Sequence, residues 1–116
     1  MAIAHVGAGT VLHATSLPSA SAVKSDIFAD SKNARGTVVT CWCDGADGTL
    51  RIYKIMKHTG EEIEIEIPGG NTVTAGAANA RFIDIDFPVG RGRCTFASSS
   101  FGSVTRVEIE MRSKGR

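Results

Sequence analysis

The chain has 116 residues, of which 42% are hydrophobic and 22% charged, as in a globular protein large enough for one core. Its formal net charge of +1 favours neither a nucleic-acid-binding protein nor an acidic disordered one. No apolar run approaches the roughly 20 residues that a membrane-spanning helix needs. The first residues lack the basic and apolar regions of a signal peptide, so we expect synthesis in the cytoplasm.

The first nine residues, MAIAHVGAG, are small and show no periodicity. Alanine and glycine bury little surface, and glycine raises the entropic cost of ordering the segment by itself. We therefore expect residues 1–9 to form an extended arm that attaches to a neighbouring subunit, by adding to a sheet edge or lying in a groove. Ile3 and Val6 would be its anchoring side chains.

Residues 10–112 are predicted to form one β domain, followed by a basic tail at 113–116. Residues 10–17 and 26–30 are weak strand candidates. Six clearer strands follow, at residues 37–43, 49–56, 62–67, 81–87, 93–97 and 104–111. None of these six has the 3.6-residue period of a helix, and Gly- or Pro-containing turns separate them. The pattern predicts an all-β, antiparallel sandwich, jelly-roll-like, with about 6–8 strands.

The connector DGADG, residues 44–48, joins two of these strands. Asp and Gly tolerate the positive φ angles of tight turns, so the connector predicts a hairpin between residues 37–43 and 49–56. Asp44 and Asp47 also raise the alternative of a bound calcium ion. The short turn lacks the regular oxygen ligands of an EF-hand loop, which favours a simple turn.

Two stretches, EIEIEIP at 62–68 and RFIDIDFP at 81–88, alternate strictly between apolar and charged residues. This is the pattern of a half-buried antiparallel strand, and proline ends each one. The side chains predicted to be buried are Ile63, Ile65, Ile67, Ile83, Ile85 and Phe87. Those predicted to be exposed are Glu62, Glu64 and Glu66.

Acidic residues on alternating strand positions raise the question of a catalytic site. They are Glu62, Glu64, Glu66, Asp84, Asp86, Glu108 and Glu110. Glycoside hydrolysis uses such a carboxylate pair, but a general acid needs an apolar pocket, and interleaved Arg and Lys residues favour cross-strand ion pairs instead. No nucleophile elbow, phosphate loop or dinucleotide fingerprint occurs. We predict no catalytic residues, no cofactor and no enzymatic activity.

The three cysteines do not form a recognisable metal site or disulfide framework. Cys41 and Cys43 are expected to face the same side of one strand, a spacing that suits neither a zinc knuckle nor an internal bridge. Cys94 and the three histidines do not complete a ligand set. We predict small buried thiols and no metal.

Trp42 and Tyr53 are the only residues of their kinds. An exposed aromatic side chain on a β-sandwich can stack on a sugar, so both are candidate ligand-stacking residues, although packing between strands is the favoured interpretation. Arg91, Arg93 and the basic tail could form a small patch. Without interleaved aromatic residues this patch does not favour nucleic-acid binding.

Over residues 36–112, the chain resembles a type of module found in bacteriophage virion proteins. The resemblance is carried by an order of motifs: GTLRI at 48–52, TVTAG at 72–76, a strand ending in proline at 82–88, a short strand at 91–96 and a valine-bearing strand at 104–111. It implies a non-enzymatic β-sandwich that decorates a capsid or builds part of a tail or fibre, often as an oligomer.

The resemblance makes a head decoration or cement protein the leading functional hypothesis. It implies a virion location after synthesis in the host cytoplasm, the major capsid protein or other virion proteins as partners, and a homo-oligomer, with no membrane or nucleic-acid partner. The alternatives are a tail, adaptor or fibre component, and a carbohydrate-binding module that stacks sugars on Trp42 or Tyr53.

Overall fold

The computed structural model describes residues 23–76, 78–98 and 106–115 in full and residues 10–14 by their backbone. The described residues form strands and no helix. The strands are β1 (Thr10–Ala14), β2 (Val23–Lys24), β3 (Phe28–Ala29), β4 (Gly36–Cys43), β5 (Gly48–Ile55), β6 (Glu62–Ile65), β7 (Thr72–Val73), β8 (Arg81–Ile85), β9 (Arg91–Ala97) and β10 (Val107–Lys114).

The strands form two antiparallel sheets that pack face to face. One sheet has the order β1-β10-β4-β8, and the other has β2-β9-β5-β6, with β3 also on β9 and β7 also on β5. Counting β2 with β3 and β6 with β7 as interrupted strands gives eight strand positions, with most chain connections crossing between the sheets. This is the connectivity of a jelly roll, and it confirms the predicted fold class.

The prediction of a hairpin at DGADG was wrong, because β4 and β5 lie in different sheets. The connector is still a tight turn, with a φ of 81° at Gly45. Its carboxylates bind the backbone: Asp44 accepts a hydrogen bond from Arg106 N at 2.8 Å and Asp47 accepts one from Ala75 N at 2.9 Å. The hairpin lies one connection later, between β5 and β6.

The core lies between the sheets and is formed by the inward-facing residues of each strand. Its largest fully buried side chains include Phe96, Leu50, Ile52, Ile109 and Met111. Cys41, Cys43 and Cys94 belong to the same cluster. The prediction of small, buried, unpaired cysteines is confirmed.

The alternating pattern is confirmed along most of the two stretches and fails at their ends. Ile67, Ile83 and Ile85 are buried, and Glu62, Glu64 and Glu66 are exposed as predicted. Ile65 is only half-buried, and burial of Ile63 and Phe87 was wrong, since they are 45% and 51% exposed.

The exposure of Ile63 and the exposure of Phe87 have different causes. Ile63 lies near the turn end of an edge strand, where only part of its side chain is covered. Phe87 follows the end of β8, and residues 86–87 form a bend in which side chains no longer alternate between faces.

The structure describes the predicted domain boundary at the carboxyl end of the chain but not the predicted arm at the amino end. β10 runs through Lys114, so Ser113 and Lys114, which were predicted to lie in a basic tail, pair with Thr37 and Gly36. The arm at residues 1–9, with Ile3 and Val6, lies outside the described residues. Within the described part of the chain, no helix is long and apolar enough to cross a membrane.

Candidate functional site

The outer face of the first sheet carries a patch of four uncharged side chains, which we call the β4–β8 face: Val38, Thr40, Trp42 and Phe82. Charged side chains are exposed around this patch on the same sheet face: Asp84, Glu108, Glu110 and Arg112. The four patch residues occupy outward positions, because their strand neighbours are buried. Phe82 is opposite Thr40 in the register, so it lies diagonal to Trp42, about 7–8 Å away at this spacing. Phe82 is 73% exposed, the highest value among the large hydrophobic side chains described.

Trp42 is held in place by two contacts. Its indole Nε1–H donates a hydrogen bond to the Gly76 carbonyl oxygen at 2.8 Å. The Arg106 guanidinium carbon lies 4.8 Å from the centre of the indole ring, a cation–π geometry. Arg106 N donates a hydrogen bond to the Asp44 carboxylate at 2.8 Å, and Asp44 N donates one to the Arg106 carbonyl oxygen at 3.1 Å, so the Arg106 backbone is held beside the indole. One face of the indole is therefore covered, which favours packing over sugar stacking for Trp42.

Replacing Arg106 with Ala is expected to uncover that indole face. We expect the free energy of unfolding to fall by about 0.5–1 kcal/mol, the value of an exposed cation–π contact, and acrylamide quenching of tryptophan fluorescence to rise. Trp42 is the only tryptophan, so the signal reports this site alone. Arg112→Ala, on the same face but opposite Val38, is the control. Equal quenching in both variants would contradict the assigned contact, and quenching of the wild type by oligosaccharides would favour the carbohydrate alternative.

The outer face of the second sheet is charged and internally paired. Arg51 binds Glu64 at 2.9 Å, and Arg93 lies 3.7 Å from Glu62. Tyr53 is half-buried on this face, opposite Glu64 on one side and Arg93 on the other. Two of the three glutamates of the repeated pattern thus form a solvated, ion-paired surface. Tyr53 and Trp42 lie on opposite faces of the sandwich and do not form one stacking platform.

A groove of about 390 Å³ opens along one side of the sandwich, between the edge strands β6 and β8. We call it the edge groove. Ile65 and Ile85 form its apolar floor, and its rim includes Glu66, Asp84, Asp86 and Phe87. The three carboxylates are exposed, which does not provide the apolar pocket that a general acid needs. The groove is suited to binding rather than to proton transfer.

Two side chains position the strands that form the edge groove. The Arg81 guanidinium donates hydrogen bonds to the carbonyl oxygens of Pro68 at 2.9 Å and Thr72 at 2.8 Å, which ties β8 to the opposite sheet. Lys114 reaches from the end of β10 to Asp84 and, at 3.7 Å, to Asp86. A Cβ at Gly36 would lie 2.8 Å from Lys114 Cε and 2.3 Å from the Ile85 carbonyl oxygen, so only glycine leaves room for this crossing.

A second concave surface, which we call the basic cleft, lies where β5 ends and β9 begins. It has a volume of about 500 Å³, and its lining includes Asp30, Lys54, Met56, Lys57, Gly90 and Arg91. Lys54 Nζ donates a hydrogen bond to the Val89 carbonyl oxygen at 2.6 Å. Gly90 N donates to the Asp30 carboxylate at 2.9 Å. The wall of the cleft is therefore fixed by hydrogen bonds from inside the domain.

The three thiols offer little chemistry at neutral pH. Burial, reinforced by Asp47 and Asp44, raises the pKa of Cys43 to about 11, and burial raises the pKa of Cys94 to about 12. Burial, with the neighbouring Cys43 and Cys94, also raises the pKa of Cys41. Nucleophilic attack and metal binding both need the thiolate. Within the described ranges, no three His, Cys, Asp or Glu side chains are grouped so as to hold a metal ion.

Comparisons with known proteins find no match: no family profile, no curated protein and no solved structure is significantly similar to the chain. The resemblance to virion modules therefore stays a prediction, and a jelly roll by itself does not determine function. Information on function lies in the surfaces of the domain. Sequence reasoning identified Trp42, Tyr53 and the acidic residues, but it missed the exposure of Phe82 and the basic cleft.

Proposed function

We propose that the chain is a non-enzymatic structural protein of a bacteriophage virion, a head decoration or cement protein that stabilises the capsid through contacts between subunits. The exposure of Phe82 on the β4–β8 face carries the proposal. A phenylalanine that remains 73% exposed loses most of the hydrophobic free energy available to it. Together with Val38 and Trp42 it forms an aliphatic and aromatic patch, and aromatic residues are enriched in the hot spots of protein interfaces.

The difference between the two outer faces supports this role. The outer face of the second sheet carries cross-strand ion pairs at its centre, whereas the outer face of the first sheet has Val38, Thr40 and Phe82 beside Trp42, with charged residues around them. Interface cores are enriched in aromatic residues and depleted of charge. A rigid sandwich can lie on a capsid shell with this uncharged patch inward and with Asp84, Glu108, Glu110 and Arg112 as its charged rim. The β4–β8 face is thus the surface that we assign to the major capsid protein.

Purified particles provide the test. We expect virions from cells that encode the chain to contain many copies of it, with antibody labelling on the head. Replacing Phe82 with Ser is expected to weaken binding to particles by about tenfold or more, the loss that accompanies truncation of a central aromatic.

The matched control for this variant is Ile27→Ser. Ile27 is also an exposed large hydrophobic residue, but it lies between β2 and β3, at the opposite edge of the sandwich. Equal losses in the two variants would argue against the β4–β8 face. Particles without the polypeptide would contradict the proposed function. Labelling on tails instead of heads would favour the tail, adaptor or fibre alternative.

A further inference from the structure

The edge groove and the basic cleft carry opposite charges. The groove rim has three carboxylates, on Glu66, Asp84 and Asp86. The cleft has three cationic side chains, Lys54, Lys57 and Arg91, and one carboxylate, Asp30, which accepts hydrogen bonds from inside the domain. The chain as a whole has a formal net charge of only +1. The separation of charge is therefore local, and it lies on the two concave surfaces rather than across the whole molecule.

Most of this charge is not used within the domain. Lys57 and Arg91 are exposed, and neither forms an ion pair with any residue that the structure describes. Glu66 is also exposed and has no cationic partner in the described ranges. Asp86 is 95% exposed, and its carboxylate lies 3.7 Å from Lys114 Nζ. An exposed ion pair at this distance contributes little to stability.

Each charged surface also presents one large hydrophobic side chain that is exposed. Phe87, 51% exposed, lies at the rim of the edge groove, and Met56, 39% exposed, lines the basic cleft. Methionine adapts its shape readily and makes favourable contacts with aromatic rings. The two surfaces are thus complementary in charge, and each has an apolar side chain to bury against the other.

We infer that the edge groove of one copy of this chain binds the basic cleft of a second copy. Phe87 packs against the partner's Met56, while Glu66 and Asp86 face the partner's Lys57 and Arg91. The inference rests on the proposed function in supplying the subunit contacts that a cement protein needs. Because the groove and the cleft are different surfaces, the contact is made twice in a two-fold dimer or once per subunit in a ring or chain.

A second copy suits these surfaces better than an unrelated acidic or basic peptide. Both complementary partners occur on the same chain and are present at equal concentration. The hydrogen bonds of Lys54 to Val89 and of Arg81 across the groove hold both surfaces in shape, so binding orders little additional backbone. Preorganised surfaces of this kind lose less free energy on association than a flexible peptide does.

Charge reversal tests the contact with purified chain and no particles, so it can fail or succeed separately from the proposed function. Sedimentation velocity at low salt is expected to show association of the wild type that weakens as salt is added. The acid-reversed variant (Glu66→Lys with Asp86→Lys) and the base-reversed variant (Lys57→Glu with Arg91→Glu) should each have a dissociation constant raised about a hundredfold, since like charges now face each other. An equimolar mixture of the two variants should associate again.

The control is Asp26→Lys with Glu110→Lys, which makes the same change of charge at exposed positions outside both surfaces. It should associate like the wild type, and all variants should keep the wild-type thermal midpoint within a few degrees. A wild type that stays monomeric at every concentration would overturn the inference. So would a mixture that stays monomeric, or a control that loses association to the same extent.

Discussion

Phe96→Ala is expected to lower the free energy of unfolding by about 3–5 kcal/mol. Phe96 is fully buried and is the largest such side chain described in the core. Its removal forfeits the transfer free energy of the ring and leaves a cavity between the sheets that a rigid sandwich closes only in part. A domain of this size is stable by about 5–15 kcal/mol, so the variant loses a large share of its stability. Urea denaturation followed by circular dichroism measures the loss.

Gly48 leaves the space that the Phe96 ring occupies. A Cβ at this position would lie 2.1 Å from Phe96 Cζ, well inside contact distance. Gly48→Ala is therefore expected to destabilise the domain by about 1–3 kcal/mol through overpacking. Phe96→Leu removes the atoms that clash, so the double variant should be more stable than the sum of the single losses predicts. Strict additivity would show that the ring does not lie over Gly48.

The matched control is Phe82→Ala, which truncates the same side chain at an exposed position. A surface substitution of this kind is expected to change the free energy of unfolding by no more than about 0.5 kcal/mol. A loss as large as that of Phe96→Ala would mean that Phe82 faces the core. A register slip by one residue would invert every side chain of β8, so this pair of variants also tests the register.

The sequence predicts the strands well because each has a strong local signal. Residues 37–43, 49–56 and 93–97 fall close to β4, β5 and β9, and the jelly-roll-like sandwich follows from their number and from the absence of room for crossover helices. Alternation also assigns the faces correctly at Ile83 and Ile85, which are buried between exposed residues.

Which strands pair is a property of the whole sheet and has no local signal. The DGADG turn is compatible with a hairpin and with a connection between sheets, because both need the positive φ that Gly45 supplies. The choice depends on β10, more than 60 residues away, which pairs with β4 along its full length. This long-range pairing places β4 in a different sheet from β5, so the two strands do not form a hairpin.

The candidate surfaces were predictable only in part. Alternation along RFIDIDF places Phe82 outside once Ile83 and Ile85 are inside, so its exposure could have been found by asking which aromatic residue falls on the outward positions of β8, beside Asp84. The basic cleft could not have been found in this way. It combines residues from β3, from the end of β5 and from the start of β9, and only the folded topology brings these segments together.

Asp30→Ala is expected to lower the free energy of unfolding by about 3 kcal/mol or more, since hydrogen bonds to a charged group contribute about 1.5–3 kcal/mol each. The Asp30 carboxylate accepts hydrogen bonds from Thr37 Oγ1 at 2.7 Å, Ser113 Oγ at 2.8 Å and Gly90 N at 2.9 Å. These donors come from β4, from β10 and from the loop before β9. One carboxylate therefore ties both sheets together at this end of the sandwich.

Thr37 makes the loss severe because it is fully buried. Its Oγ1 also accepts a hydrogen bond from Val89 N at 2.9 Å, so without Asp30 its hydroxyl proton has lost its acceptor in a site closed to water. Thr37→Val should cost about 1–3 kcal/mol by leaving the Val89 N–H unsatisfied. Combined with Asp30→Ala, it should cost less than the sum, because both changes remove the same bond.

The control is Asp26→Ala, an exposed aspartate four residues earlier, for which we expect a change within about 0.5 kcal/mol. Urea denaturation of the four variants gives the free energies. Asp30 and Gly90 both line the basic cleft, so Asp30→Ala removes a carboxylate from the cleft as well as the hydrogen bond that holds its wall. A variant that unfolds like the wild type would show that the carboxylate is solvated and does not hold the two sheets together.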